Sequence, residues 1–112
     1  MKTHKVMLRI SDNQSEKLNK LVKYHNSDQV KILLRGLYLI EKFDLKMIKF
    51  EDLGVKDKRI LVRLNEEESN LINRLENKFD IKYTNIMRCG IEFQYNILED
   101  LKEYEKKLLT EN

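Results

Sequence analysis

Val6-Met7-Leu8-Arg9-Ile10 and Ile60-Leu61-Val62-Arg63-Leu64 decide the reading of this chain. Each alternates between an aliphatic face and a mixed, basic one. Val6, Leu8 and Ile10 oppose Lys5, Met7 and Arg9; Ile60, Val62 and Leu64 oppose Arg59, Leu61 and Arg63. Period two with β-branched residues predicts a half-buried strand, aliphatic face inward and basic face outward. The second segment lies 54 positions after the first, and that single shift aligns the two halves without a gap. Ser15 falls on Ser69, Asn19 on Asn73, Leu21 on Leu75, Ile32 on Ile86 and Gly36 on Gly90. A hydrophobic pattern kept in register over each half is the mark of an internal repeat.

Each half continues as helix, break, helix. Ser11-Asp12-Asn13-Gln14 has capping-box spacing, and Asn65-Glu66-Glu67-Glu68 is its counterpart. Leu18, Leu21 and Val22 form one apolar stripe; Leu71, Ile72, Leu75 and Phe79 form the other. Breaks are predicted at 26–28 and 80–82, with second helices opening after Ser27 or Asp28 and after Thr84. In the last helix Ile86, Gly90, Phe93, Ile97, Leu101, Tyr104 and Leu108 recur at steps of three and four, predicting a helix to about residue 109. Its aromatic residues fall mainly on this stripe and are expected in the core more than on a base-stacking surface, and Gly36 and Gly90 at a close helix packing. The resulting division is a first unit over 1–43, a connecting segment over 44–58 and a second unit over 59–112. Met47, Ile48, Phe50, Leu53 and Val55 make the connection too apolar for a free linker.

With 112 residues, 41% of them hydrophobic, the chain can build one shared core. The absence of proline and a charged fraction of 37% favour helix. The single cysteine, Cys89, excludes an internal disulfide and fits a reducing compartment. The amino terminus does not have the form of a signal peptide, and no apolar run approaches the ~20 residues of a membrane span. A soluble, cytoplasmic protein is expected (in the host cytoplasm if the chain is viral). The net charge is only +3, but its distribution is uneven. Residues 1–10 carry Lys2, Lys5 and Arg9 with no acid; residues 57–64 carry Lys58, Arg59 and Arg63 against Asp57. Both excesses fall on the two strand segments.

The basic-and-apolar strand, the polar turn into a helix, and the run Thr84-Asn85-Ile86-Met87-Arg88-Cys89-Gly90-Ile91 together resemble the ribbon-helix-helix DNA-binding family of the MetJ and Arc type. The likeness covers nearly the whole chain, twice over, in the manner of tandem single-chain transcription regulators of archaeal viruses. The first unit departs from the family run by having Leu34 where the second has Arg88. The resemblance implies a mainly α fold with a two-stranded antiparallel β-ribbon, ordered β-α-α-β-α-α and closed as an intramolecular pseudo-dimer. It also implies that the ribbon enters the major groove of double-stranded DNA.

The charges point the same way independently. If the twofold axis passes between Met7 and Leu61, Arg9 faces Arg59 and Lys5 faces Arg63. Facing like charges destabilise a sheet unless an outside anion meets them. Lys5, Met7, Arg9, Arg59, Leu61 and Arg63 are therefore the candidate base-contacting residues. Lys31, Lys82, Thr84 and Asn85, near the starts of the second helices, are candidates for phosphate contact. No spacing of His, Cys, Asp or Glu resembles a metal site, no catalytic constellation is visible, and no cofactor, enzymatic activity or small-molecule substrate is expected. The last helix, through Tyr95, Leu98 and Leu109, is the candidate contact for self-association. Two other functions remain open: a ribbon-helix-helix antitoxin, and a helical interaction module that does not bind DNA.

Overall fold

The computed structural model describes residues 4–43 and 56–110. Over these the chain forms, in order, β1 (His4–Ile10), α1 (Asp12–His25), α2 (Gln29–Lys42), β2 (Lys58–Leu64), α3 (Glu66–Phe79) and α4 (Tyr83–Thr110). The fold is mainly helical with one two-stranded sheet. The strand-helix-helix order occurs twice. The expected packing of Met47, Ile48, Phe50, Leu53 and Val55 lies outside the described residues. The second strand begins at Lys58, one residue before the expected boundary.

Local sequence accounts for each helix start and stop. The Ser11 hydroxyl accepts from the Gln14 amide while the Gln14 side chain accepts from the Ser11 amide, both at 3.2 Å. Asn65 and Glu68 make the same reciprocal pair at 2.8 Å. Each box satisfies two amide donors at the helix start. α1 and α3 end on Asn26 and Asp80, both in the left-handed region with φ of 51° and 53°. Asparagine and aspartate tolerate that region better than other non-glycine residues. Asp28 is the cap of α2, its carboxylate accepting from the Lys31 amide at 2.9 Å. α4 begins earlier than expected: Thr84 sits in its first turn instead of capping it. The Lys82 carbonyl accepts the first helical bonds, and the Tyr83 amide donates to the Glu76 carboxylate at 3.0 Å.

β1 and β2 pair antiparallel, with Met7 opposite Leu61 at the centre, Lys5 opposite Arg63 and Arg9 opposite Arg59. Leu8, Ile10, Ile60, Val62 and Leu64 are buried and Val6 is half-buried. Beneath them, Leu18 and Leu21 of α1, Ile32, Leu33 and Leu37 of α2, Leu71 and Leu75 of α3, and Ile86 and Ile91 of α4 complete one cluster. Every described element contributes to it, so neither half has a core of its own.

α2 and α4 cross at Gly36 and Gly90. A methyl group added at Gly36 would lie 3.2 Å from the Gly90 Cα and 2.9 Å from Gln94 Nε2. The absence of side chains at both positions sets how close the helices come. Among the described residues no helix is long and apolar enough to cross a membrane.

Because the core is shared, urea unfolding should be a single transition by both circular dichroism and fluorescence. Gly36→Leu should lower its free energy by about 1–3 kcal/mol, although leucine is the better helix former, because the added volume meets backbone. A fragment 1–50 that melts cooperatively as a monomer would contradict the shared core.

Candidate nucleic-acid interface

The ribbon turns a basic face to solvent. Lys5, Arg9, Arg59 and Arg63 are exposed, as are Met7 and Leu61 between them at 43% and 46%. The alternation that buries the aliphatic residues forces these six side chains to the other face. Cross-strand partners have their Cβ atoms about 4.5–5.5 Å apart. The register therefore sets two like-charged pairs side by side, flanking the Met7–Leu61 centre. Among the described residues none of the four cations forms an ion pair. The acid nearest the ribbon by ion pairing is Asp12, which meets Lys58 at 3.9 Å, at the last paired position of the ribbon. The residues expected to contact bases thus lie together on one open surface.

The residues expected to contact phosphate are less uniform. Lys31 and Lys82 are exposed at the starts of α2 and α4. The Lys31 side chain lies 3.7 Å from Asp28, and its amide is occupied by the same carboxylate. Thr84 is half-buried. Asn85 is exposed, and its side-chain oxygen accepts from Arg88 at 2.9 Å. At both helix starts one amide is already bonded to an acid of this chain, Asp28 or Glu76. That reduces the anion-attracting capacity of those ends relative to a bare helix terminus.

Two residues without an expected role hold the ribbon in place. Arg88 is buried at 7% exposure; its Nε donates to the Arg9 carbonyl at 2.9 Å. The Tyr83 hydroxyl donates to the Met7 carbonyl at 3.0 Å. Both bonds tie α4 to the backbone of β1 and leave the Met7 and Arg9 side chains unused. Arg88 also adds a buried positive charge beside the basic strand. The sequence signal for it was an arginine inside the apolar run 86–91, on a helical face otherwise destined for the core. The first half has Gln29 and Leu34 at the corresponding positions, so these two anchors belong to the second unit alone.

Farther along α4, Glu92 takes an ion pair from Lys17 of α1 at 2.6 Å, and Tyr95 accepts a weak 3.5 Å hydrogen bond from Lys20. The Gln94 amide donates to the Ile32 and Gly90 carbonyls. Burial first, then the nearby Glu92, pushes the Cys89 thiol up to about 11, against the opposing charge of Arg88. It is a packing residue. The expectation for the end of α4 needs two corrections. Leu98 is buried at 4% and cannot form an outer contact; Tyr104 is 63% exposed and not part of the core. Leu98 is buried beside Tyr24 of α1 and Leu39 of α2, the cleft they line ends at Leu101, and residues 99–110 are all exposed.

Arg88→Ala should destabilise the fold by about 1–3 kcal/mol in urea titrations, since it leaves the Arg9 carbonyl without that donor. Tyr83→Phe should cost about 0.5–1.5 kcal/mol. At pH 8 Cys89 should react with an aromatic disulfide reagent no faster than the protein opens, because its thiol stays protonated far above that pH. A rate at pH 8 as fast as that of the urea-unfolded chain would contradict its burial.

No family model, curated protein or solved structure matches this chain. Its function has to be argued from its own residues.

Proposed function

We propose that the chain is a sequence-specific double-stranded DNA-binding transcription regulator of ribbon-helix-helix type, with its two units closed as an intramolecular pseudo-dimer. The observation that carries this proposal is the exposed ribbon face, where Lys5 and Arg63, and Arg9 and Arg59, stand opposite one another without an acid between them. A surface of that kind costs the protein repulsion when alone and gains attraction when a polyanion meets it. A two-stranded ribbon is also a shape the major groove admits, the groove being about 12 Å wide.

The pseudo-dimer reading is supported by how positions 54 apart are used. Ser11 and Asn65 both open a capping box; Asn26 and Asp80 both close a helix in the left-handed region. Gly36 and Gly90 meet each other. The ion pair of Arg74 with Glu41 and the contact of Lys20 with Tyr95 join the same two repeat positions, once in each direction. The Met7–Leu61 centre is where a twofold axis relating the units would pass.

In this reading Arg9 and Arg63 are equivalent and would each pair bidentately with a guanine, while Lys5 and Arg59 contact guanine or phosphate. Met7 and Leu61 offer only apolar contact to thymine methyls. Lys31, Lys82 and Asn85, with the helix starts, would position the backbone. Because Lys5 differs from Arg59 and Met7 from Leu61, the preferred site should have unlike halves.

The test is a fluorescence-anisotropy titration on a selected site and on random DNA. Arg9→Ala and Arg63→Ala should each lose about 1–3 kcal/mol on the selected site and less on random DNA. With about six phosphates neutralised, affinity should fall with salt at a log–log slope of roughly −5. Equal losses on both DNAs would reduce these arginines to backbone contacts. No binding at low salt would leave the chain as a helical interaction module, the alternative that the projecting end of α4 favours.

A further inference from the structure

α4 has 28 residues where each other helix has 14. Its inner half belongs to the body; from Glu99 to Thr110 every residue is exposed. A helix segment open on all sides would ordinarily be polar on all sides. This one is not. Ile97, Leu101, Tyr104 and Leu108 are 45%, 43%, 63% and 50% exposed and lie on one stripe. Their spacing of four, three, four is that of core positions d, a, d, a in a heptad. The same register passes inward through Gln94 and Gly90, so the seam that packs α4 on α2 continues into solvent.

The flanking charges decide what fits the stripe. With Leu101 and Leu108 at a, and Ile97 and Tyr104 at d, the g positions are Asp100 and Lys107, and the e positions are Leu98 and Glu105. Two copies aligned in parallel would set g against e, bringing Asp100 of each against Glu105 of the other. Two copies aligned antiparallel would set g against g, bringing Asp100 of each against Lys107 of the other. The first arrangement has two repulsions and the second has two attractions, and such flanking pairs set partner choice and orientation. In the antiparallel alignment Ile97 layers with Leu108 and Leu101 with Tyr104 of the second copy. The layer at Ile97 also carries the second copy's helix end over the cleft lined by Tyr24, Leu39, Leu98 and Leu101. The antiparallel alignment places the two bodies at opposite ends of the shared segment.

We propose that residues 97–108 of α4 form an antiparallel two-helix contact with the same segment of a second copy of this chain. Leu98 and Tyr95, the sequence-based candidates, lie off this seam, and Leu109 projects beside it. The contact does not depend on DNA binding, so it is tested without DNA.

The 112-residue chain should sediment, across micromolar concentrations, with a mass approaching twice its 13.6 kDa. Leu101→Asp should return it to 13.6 kDa while leaving its far-ultraviolet spectrum unchanged and its melt independent of protein concentration, because residue 101 is exposed and outside the core cluster. Asp100→Lys and Lys107→Asp should each raise the dimer dissociation constant roughly tenfold, and the double exchange should restore it. A parallel pair would respond oppositely, since a lysine at position 100 would meet Glu105 and tighten it. The proposal is overturned by a 13.6 kDa species at all concentrations, as when residues 44–55 of the same chain cover the seam. It is equally overturned if Asp100→Lys tightens the dimer or if Leu101→Asp has no effect on mass.

Discussion

The pairing of β1 with β2 is the constraint from which the rest follows. Each strand has an aliphatic face that its own two helices do not cover alone, and an isolated strand leaves a full row of backbone groups unpaired. Pairing satisfies those groups along one edge of each strand and brings Leu8, Ile10, Ile60, Val62 and Leu64 over a single helical cluster. The antiparallel register that achieves this also sets like charges opposite one another on the outer face. Core formation and charge crowding are therefore two consequences of one alignment. Moving either strand by one residue would bury arginines and expose leucines.

The two halves are alike in path and unlike in fastening. Gln14 and Glu68 close their capping boxes in the same way, and Asn26 and Asp80 end their helices in the same way. The bonds from the body to the ribbon, however, come from Tyr83 and Arg88, both on α4 and both to β1. β1 is thereby held by side-chain donors that have no equivalents in the first half. A single chain permits this, because the two halves are free to diverge in a way that identical subunits are not. If the ribbon reads DNA as proposed, its two ends present different chemistry from differently fastened strands.

α4 does two things in two segments. Up to Leu98 its residues are constrained by the Gly36–Gly90 crossing, the Lys17–Glu92 pair and the buried Gln94 amide. Beyond Leu98 every described residue is exposed, yet the apolar register continues. The change from body to projection occurs within one uninterrupted helix, because helical hydrogen bonding is internal and does not need a neighbour. The apolar stripe of the projecting part does need one, and its flanking charges favour a second copy.

Period-two alternation, the capping boxes and the 54-residue repeat are local features, and from them the sequence alone determined the element order, the inward faces of both strands and the helix starts at Ser11 and Asn65. It also identified the ribbon's six outward residues, since alternation assigns faces without knowledge of the partner. Four things were decided only by the tertiary structure. Arg88 became an anchor for β1, because a cation in an apolar run can be exposed or paired depending on what lies opposite. Thr84 fell inside α4, because Glu76, seven residues away, supplies the acceptor for the Tyr83 amide. Asp28 and Glu76 took amides that a bare helix start would offer to phosphate. Leu98 went inside while Ile97, Leu101, Tyr104 and Leu108 stayed out, because a helical stripe shows which residues share a face but not how far along it the neighbouring helices extend.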